Sequence, residues 1–388
     1  MSTAARARPG YAEARPVWGE IDLGAVGHNL ARLRERAGRP VKVLAAVKAN
    51  AYGHGVAPIG VHLESLGVDG LATANLDDAL ALRAAGVEIP ILMYGSQLPE
   101  GFGVLLENDL TPTVYSSAGV QALAAAADGV TTPVNVHVKV DCGLGRLGVR
   151  PEDAPALVRE VLSFPQLRLE GIYTHIPFDE AAGAEWSQRA LGVFSRLVRE
   201  VEAEHRIRID YTQAAASSVM TEGFENALNT IAPGHLLYGL SPIAGGRAET
   251  LGFRKALRGL RAQLIHVGRR EVGDDLLGAG PGGVSEARTT GVILLGMDNG
   301  YRSARGDEPA SMLVRGRRCP VLGVSAEYTV IDVTAVPDVA VGDVVTVVGE
   351  DGGETIAVED VARQLGAPSA AYWMVGLRNV PFRYERSE

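Results

Sequence analysis

The sequence predicts an α/β fold, a (β/α)8 barrel of the TIM type followed by a mainly-β C-terminal domain. Three observations predict it. Between residues 43 and 232, short apolar runs alternate with amphipathic helical patterns, the mark of a parallel sheet with crossover helices. Eight such units in roughly 230 residues match the size of a closed barrel. Beyond Pro242 helical periodicity nearly disappears and Val- and Thr-rich runs replace it. The competing doubly wound sheet is weakened, because no Gly-x-Gly-x-x-Gly follows the first run.

The barrel runs fall at 43–47, 70–74, 90–94, 111–115, 134–140, 169–175, 209–213 and 229–232. Apolar residues at helical spacing fill 57–66, 76–85, 118–127, 153–163 and 186–204. Gly67, Gly86 and Gly129 stand where helices end, at positions that take a left-handed residue. In the second domain the strands are expected at 262–267, 290–295, 320–324, 329–333 and 344–348. Turns such as Val341-Gly342-Asp343 and Glu350-Asp351-Gly352-Gly353 separate them. A helix at 358–365 precedes a final strand. The expected division is a barrel over 13–244 and a β domain over 245–388. Residues 1–12 are either a frayed end or a strand added to that β domain.

Composition narrows the function. Among 388 residues, 37 Lys and Arg stand against 46 Asp and Glu, a net charge of −9. An acidic chain with no long basic run is not built for nucleic acid or for an anionic membrane. No apolar run approaches the ~20 residues of a membrane helix. Two cysteines, Cys142 and Cys319, rule out a disulfide scaffold and a Cys-built zinc site, and no metal is expected. Residues 1–15 lack the apolar core of a secretory signal. The expected compartment is the cytoplasm, with both thiols reduced.

Barrel active sites lie at the C-terminal ends of the strands. The sequence places Lys48 at the end of the first run, and Lys139, Asp141 and Arg146 at and after the fifth. His175 ends the sixth, Ser217 and Ser218 follow the seventh, and Pro233-Gly234 follows the eighth. Two lysines, an arginine and Gly/Ser loops at one mouth suit an anionic, phosphorylated ligand. A lysine ending an apolar strand is desolvated, which lowers its pKa and frees the amine as a nucleophile. The plainer alternative is a strand-end lysine snorkelling to solvent.

The segment around Lys48 favours the first reading. Ala46-Val47-Lys48-Ala49-Asn50-Ala51-Tyr52-Gly53-His54-Gly55 resembles the pyridoxal-phosphate attachment motif of the alanine racemase family. The resemblance extends from Val17-Trp18-Gly19-Glu20-Ile21-Asp22-Leu23 through Val136–Gly148 and Glu170-Gly171-Ile172-Tyr173-Thr174-His175 to Pro233–Pro242. It implies a barrel joined to a β domain, pyridoxal 5'-phosphate as cofactor, an amino acid as substrate and a homodimer. It assigns Lys48 as cofactor anchor and one catalytic base. Tyr52, Ser217 and Gly234 become phosphate contacts, with Ser218 an equal candidate. His175 packs beside the cofactor ring, Arg146 reaches the phenolic oxygen and the substrate carboxylate, and Lys139 orients Arg146.

The pattern also breaks. The family usually has Arg-Pro-Gly after the eighth strand, with the arginine on the pyridine nitrogen; here the tripeptide is Ala232-Pro233-Gly234. The family's second base is a tyrosine of the partner subunit, and its position is Gly278 here. Another site tyrosine becomes Met297, a Met-Asp pair becomes Ala326-Glu327, and Gln213 stands where histidine is common. The late phosphate-site tyrosine aligns with Ala370, with Tyr372 two residues away as its candidate replacement. Tyr301, Glu327 and Tyr328 are the candidates for the missing second base. Tyrosine to glycine enlarges the pocket, so a substrate larger than alanine is expected. Three functions compete: a racemase or epimerase for an amino acid other than alanine, one-base chemistry such as decarboxylation or lyase cleavage, and non-catalytic cofactor binding.

Overall fold

The computed structural model describes residues 15–95, 98–176, 183–223, 228–242, 250–277, 283–304 and 309–387. The chain forms two compact units, one of residues 23–254 and one of residues 1–22 with 255–388.

The first strand, Val17–Asp22 (β1), belongs to the second unit. The barrel unit then alternates helix and strand. Its elements are Leu23–Ala37 (α1), Lys42–Ala46 (β2), Lys48–Gly53 (α2), Val56–Ser65 (α3), Gly70–Thr73 (β3), Leu76–Ala84 (α4) and Ile91–Met93 (β4). They continue with Phe102–Glu107 (α5), Thr113–Val114 (β5), Ser117–Ala126 (α6), Val134–Lys139 (β6) and Ala154–Ser163 (α7). Leu167–Tyr173 (β7), Gly183–His205 (α8), Tyr211–Ala215 (β8), Ser217–Glu222 (α9) and Thr230–Ile231 (β9) complete the set. Among the described residues the eight strands β2 to β9 form one sheet in the order β4-β3-β2-β9-β8-β7-β6-β5, every pair parallel. A parallel bridge between Leu92 and Thr111 closes it into a barrel. Each expected run overlaps one of these strands. Gly67, Gly86 and Gly129 carry φ of +67°, +87° and +79°, as the helix-end reading required.

The barrel interior is filled by side chains. Leu44, Ala72, Leu92, Tyr173, Tyr211 and Ala232 form a buried cluster from five strands' inner faces and the end of β9. Below the mouth, His137 and Glu170 pair at 3.2 Å, both buried. A Cβ at Gly171 would lie 2.3 Å from the His137 ring, so this glycine makes room for the pair.

The β unit continues with Leu257–Arg270 (β10), Arg288–Ile293 (β11), Ser311–Val314 (β12), Arg317–Val324 (β13), Thr329–Asp332 (β14), Val344–Asp351 (β15) and Glu354–Ile356 (β16). Two helices, Val358–Gln364 (α10) and Ala370–Val375 (α11), lead to Phe382–Glu385 (β17). The strand order is β16-β15-β12-β13-β14-β11-β10-β1-β17, and β15 also pairs β10, which closes six strands on themselves. The expected barrel start at residue 13 is corrected here. β1 pairs antiparallel with β10 and parallel with β17, so its hydrogen bonds tie it to the β unit. At the other end the barrel unit runs to Arg254 rather than 244. The strand considered for residues 1–12 lies outside the described residues.

Candidate active site

The site begins with an unusual turn. After Val47 the chain passes through Ala49, Asn50, Ala51 and Tyr52 with φ of 54°, 55°, 53° and 52°. Four consecutive non-glycine residues in the left-handed region make a left-handed helical turn, each costing on the order of 1–2 kcal/mol. Such strain persists only where the surroundings over-determine it, and it concentrates at functional sites. Here the Asp78 carboxylate accepts from Asn50 N at 3.1 Å, and Asn50 Oδ1 accepts from Val56 N at 2.8 Å. The His54 ring nitrogen Nδ1 lies 3.0 Å from the carbonyl oxygens of both Ala51 and Tyr52. Tyr238 stacks on His54 at 4.6 Å, and its hydroxyl donates to Ala46 O at 3.1 Å. The turn carries Lys48 at its start and Tyr52 at its end, both aimed into one cavity.

That cavity, of about 530 Å³, is lined by Lys48, Tyr52, Lys139, Arg146, His175, Ser217 and Gly234. Seven of the eight candidate residues therefore meet in one place. Tyr372 is not among the lining residues; it lies on α11 of the β unit, with 72 % of its surface exposed. Position 278 lies outside the described residues. Tyr301 is 1 % exposed, enclosed within the β unit, which counts against it as a base. Glu327 and Tyr328 are exposed on that unit. A larger hollow of about 1000 Å³ adjoins Arg36, Arg39, Met220 and Glu222, but Arg36 and Arg39 donate to backbone carbonyls there and it holds none of the candidates.

Three cations and no carboxylate line the 530 Å³ cavity among the described residues, which makes it an anion receptor. Burial lowers the Lys48 pKa, and the nearby Arg146 charge lowers it further. Burial, then Arg146 and Lys48, hold Lys139 down to about 8; its amine lies 5.0 Å from the centre of the Tyr173 ring. Burial and the surrounding cations push His175 down to about 3, and burial and Lys48 push His235 to about 4, so both rings are neutral at pH 7. Burial raises Tyr52, which leaves its hydroxyl a neutral donor.

The loops explain the glycine pattern. The Asp141 carboxylate accepts from Gly143 N at 3.0 Å and Gly145 N at 2.9 Å, folding the loop that presents Arg146. Gly148, at φ +135°, passes so close to Asp141 that a Cβ would meet its backbone nitrogen at 2.4 Å. Arg146 itself makes no ion pair with any described residue and stands exposed at the mouth. Across the cavity, Ser217 Oγ accepts from Gly234 N at 3.0 Å and Leu236 N at 3.3 Å. A Cβ at Gly234 would lie 2.3 Å from the Tyr52 hydroxyl, so only glycine lets that hydroxyl meet the loop. Ser218 is separated from Ser217 by this geometry, because its hydroxyl donates to Ile176 O at 3.4 Å. His235 was not singled out from the sequence. Its ring sits 4.8 Å from Tyr52, and its only signal was its place next to Pro233-Gly234.

A parallel barrel with a desolvated lysine, a serine–glycine loop and a cationic wall at its mouth, followed in sequence by a β unit, fits the class of pyridoxal-phosphate-dependent racemases. The chain belongs to the alanine racemase family: the model of the alanine racemase N-terminal domain matches residues 21–242 and that of its C-terminal domain matches 260–384. The alanine racemase of Desulfovibrio desulfuricans is 33 % identical over 356 residues, covering 91 % of this chain and 93 % of its own. That of Methanococcus maripaludis is also 33 % identical, covering 90 % and 94 %. Among solved structures, Bacillus anthracis alanine racemase with bound L-Ala-P has a TM-score of 0.84 at 28 % identity, covering 98 % of this chain and 96 % of that one. The residues present fit the coenzyme: an amine for its aldehyde, a glycine-gated loop for its phosphate and uncompensated cations for its phenolic oxygen. Among the described residues no helix is long and apolar enough to cross a membrane.

Proposed function

We propose that this chain racemises or epimerises an amino acid other than alanine, or larger than it, as a cytoplasmic homodimer. The observation that carries the reading is Lys48, a desolvated amine opening into a cationic cavity from a strained turn. When bound, the coenzyme supplies an electron sink beside the α-carbon. Lys48 holds the coenzyme and moves the α-proton on one face through its Nζ. Tyr52, Ser217 and the Gly234 backbone hold the phosphate. Arg146 neutralises the phenolic oxygen and the substrate carboxylate, Lys139 positions Arg146, and His175 packs as a neutral ring against the coenzyme. Glycine at 278 and alanine at 326 support a roomier substrate pocket. Tyr372 is proposed as a further phosphate contact on sequence spacing alone.

The same glycine favours a second reading, in which one base serves a decarboxylase or lyase and the opposite face needs no proton donor. One experiment separates the two. Holoprotein is incubated with single enantiomers of alanine and of larger amino acids in deuterated water. The expected result is α-deuterium together with inverted configuration, faster on a larger amino acid than on alanine. Exchange without inversion, or release of carbon dioxide or an aldehyde, selects the second reading. The absence of exchange and of carbon dioxide or aldehyde release alike, with every amino acid, overturns both.

A further inference from the structure

Gln213 lies on the inner wall of the barrel, near the end of β8, and is 3 % exposed. Its backbone is fully engaged: it pairs with Tyr173 on one side and Thr230 on the other, and its carbonyl accepts from Thr174 N at 2.9 Å. Its side-chain amide lines the cavity yet hydrogen-bonds to none of the described residues. The amide therefore opens onto the cavity with its donors and acceptor uncommitted to the protein. A molecule bound in the cavity is placed to meet them.

Which ligand atom it meets follows from the coenzyme's own chemistry, an argument that rests on the proposed coenzyme site. In pyridoxal phosphate the ring nitrogen lies across the ring from the aldehyde carbon, while the phenolic oxygen and the phosphate arm flank the aldehyde. Lys48 takes the aldehyde, Ser217 and Gly234 the phosphate, and Arg146 with Lys139 the phenolic oxygen. The nitrogen is left to the strand residues that precede those loops. These are Ala232, two residues before Gly234, and Gln213, four before Ser217. Both line the cavity, and Ala232 offers only a methyl group.

We propose that Gln213 is the partner of the coenzyme's ring nitrogen, its Nε2–H donating to the nitrogen lone pair. A carboxamide donates this hydrogen bond without giving up its proton. The nitrogen therefore stays unprotonated, and the ring draws less charge from the α-carbon than a pyridinium would. That bias favours prompt return of a proton to carbon over reactions that need a longer-lived carbanion.

The test uses holoprotein loaded with coenzyme carrying ¹⁵N in its ring, with borohydride reduction and peptide mapping to establish attachment at Lys48. In the wild type the ¹⁵N resonance should fall at a hydrogen-bonded, unprotonated pyridine and stay constant from about pH 6 to 9. Gln213→Leu should move it toward the free pyridine and raise the coenzyme Kd by roughly two- to tenfold, the worth of one neutral hydrogen bond. Gln213→Glu should move it toward pyridinium. A pyridinium signal in the wild type, which needs no variant to fold, overturns the proposal. So does a Gln213→Leu holoprotein, labelled at Lys48, with unchanged resonance and Kd. A wild type that takes no label on Lys48 overturns the coenzyme site itself and this proposal with it.

Discussion

An amine changes its meaning with its surroundings, and Lys139 shows how. Burial, Arg146 and Lys48 hold its pKa to about 8, against 10.5 for the free side chain. Below pH 8 folded and unfolded chains both carry the proton, and the fold bears the full penalty of a buried charge. Between about pH 8 and 10.5 the unfolded chain holds a proton that the folded one has released, so this residue makes stability rise with pH. Lys139→Met removes the titrating group. In urea unfolding of coenzyme-free protein, the variant should be more stable than the wild type below pH 8, by on the order of 3 kcal/mol, and the gap should close toward pH 10.5. A pH-independent gap would show that Lys139 does not titrate as its environment dictates. At this scale the sequence was informative wherever a polar side chain ended an apolar run: Lys48, Lys139 and His175 stand out that way and share the cavity. Gln213 ends a run too, but it stood out only as a departure from the family's usual histidine, and His235 did not stand out at all, because a histidine after Pro-Gly carries no signal until a cavity opens beside it.

The turn at 49–52 is the element least visible in sequence. Ala-Asn-Ala-Tyr suits an ordinary right-handed helix, and only the contacts of Asp78, His54 and Tyr238 force it the other way. If the left-handed backbone stores strain, glycine should release it. Ala49→Gly should stabilise the coenzyme-free protein by about 1 kcal/mol, the left-handed penalty less glycine's entropy cost; a loss of stability would argue that the turn is not strained. The opposing loop makes the complementary test. Gly234→Ala drives a Cβ into the Tyr52 hydroxyl. Equilibrium dialysis should show coenzyme affinity falling at least tenfold, whereas thermal unfolding of the coenzyme-free chain should change little, because Tyr52 has an open cavity to move into. Equal affinity in the two proteins would remove Gly234 and Tyr52 from the phosphate site. The regular helices with apolar spacing were legible, as were their glycine ends. The short elements β12, β16 and α11 were not, because three to six residues hold too little periodicity to separate from a turn.

For the whole molecule, the change of texture near residue 242 announced two units, and the strand count announced the barrel. What local sequence did not disclose was where the first strand goes. Val17–Asp22 is largely apolar and leads straight into a helix, as a barrel strand would, yet its partners arrive more than two hundred residues later in β10 and at the far end of the chain in β17. The β unit therefore cannot complete its sheet until β17 is made, and the edge of that sheet is the parallel pairing of β1 with β17. Gly19 is the point of closest approach, since a Cβ there would meet the Phe382 ring at 2.3 Å. Gly19→Val should cost roughly 1–3 kcal/mol, the usual range for overpacking, and should do so locally. Hydrogen exchange should quicken in 17–22 and 382–385 while the amides of β2 and β9 keep their protection. Equal loss of protection in the barrel strands would mean that β1 stabilises the barrel as much as the β unit, contrary to its hydrogen bonding.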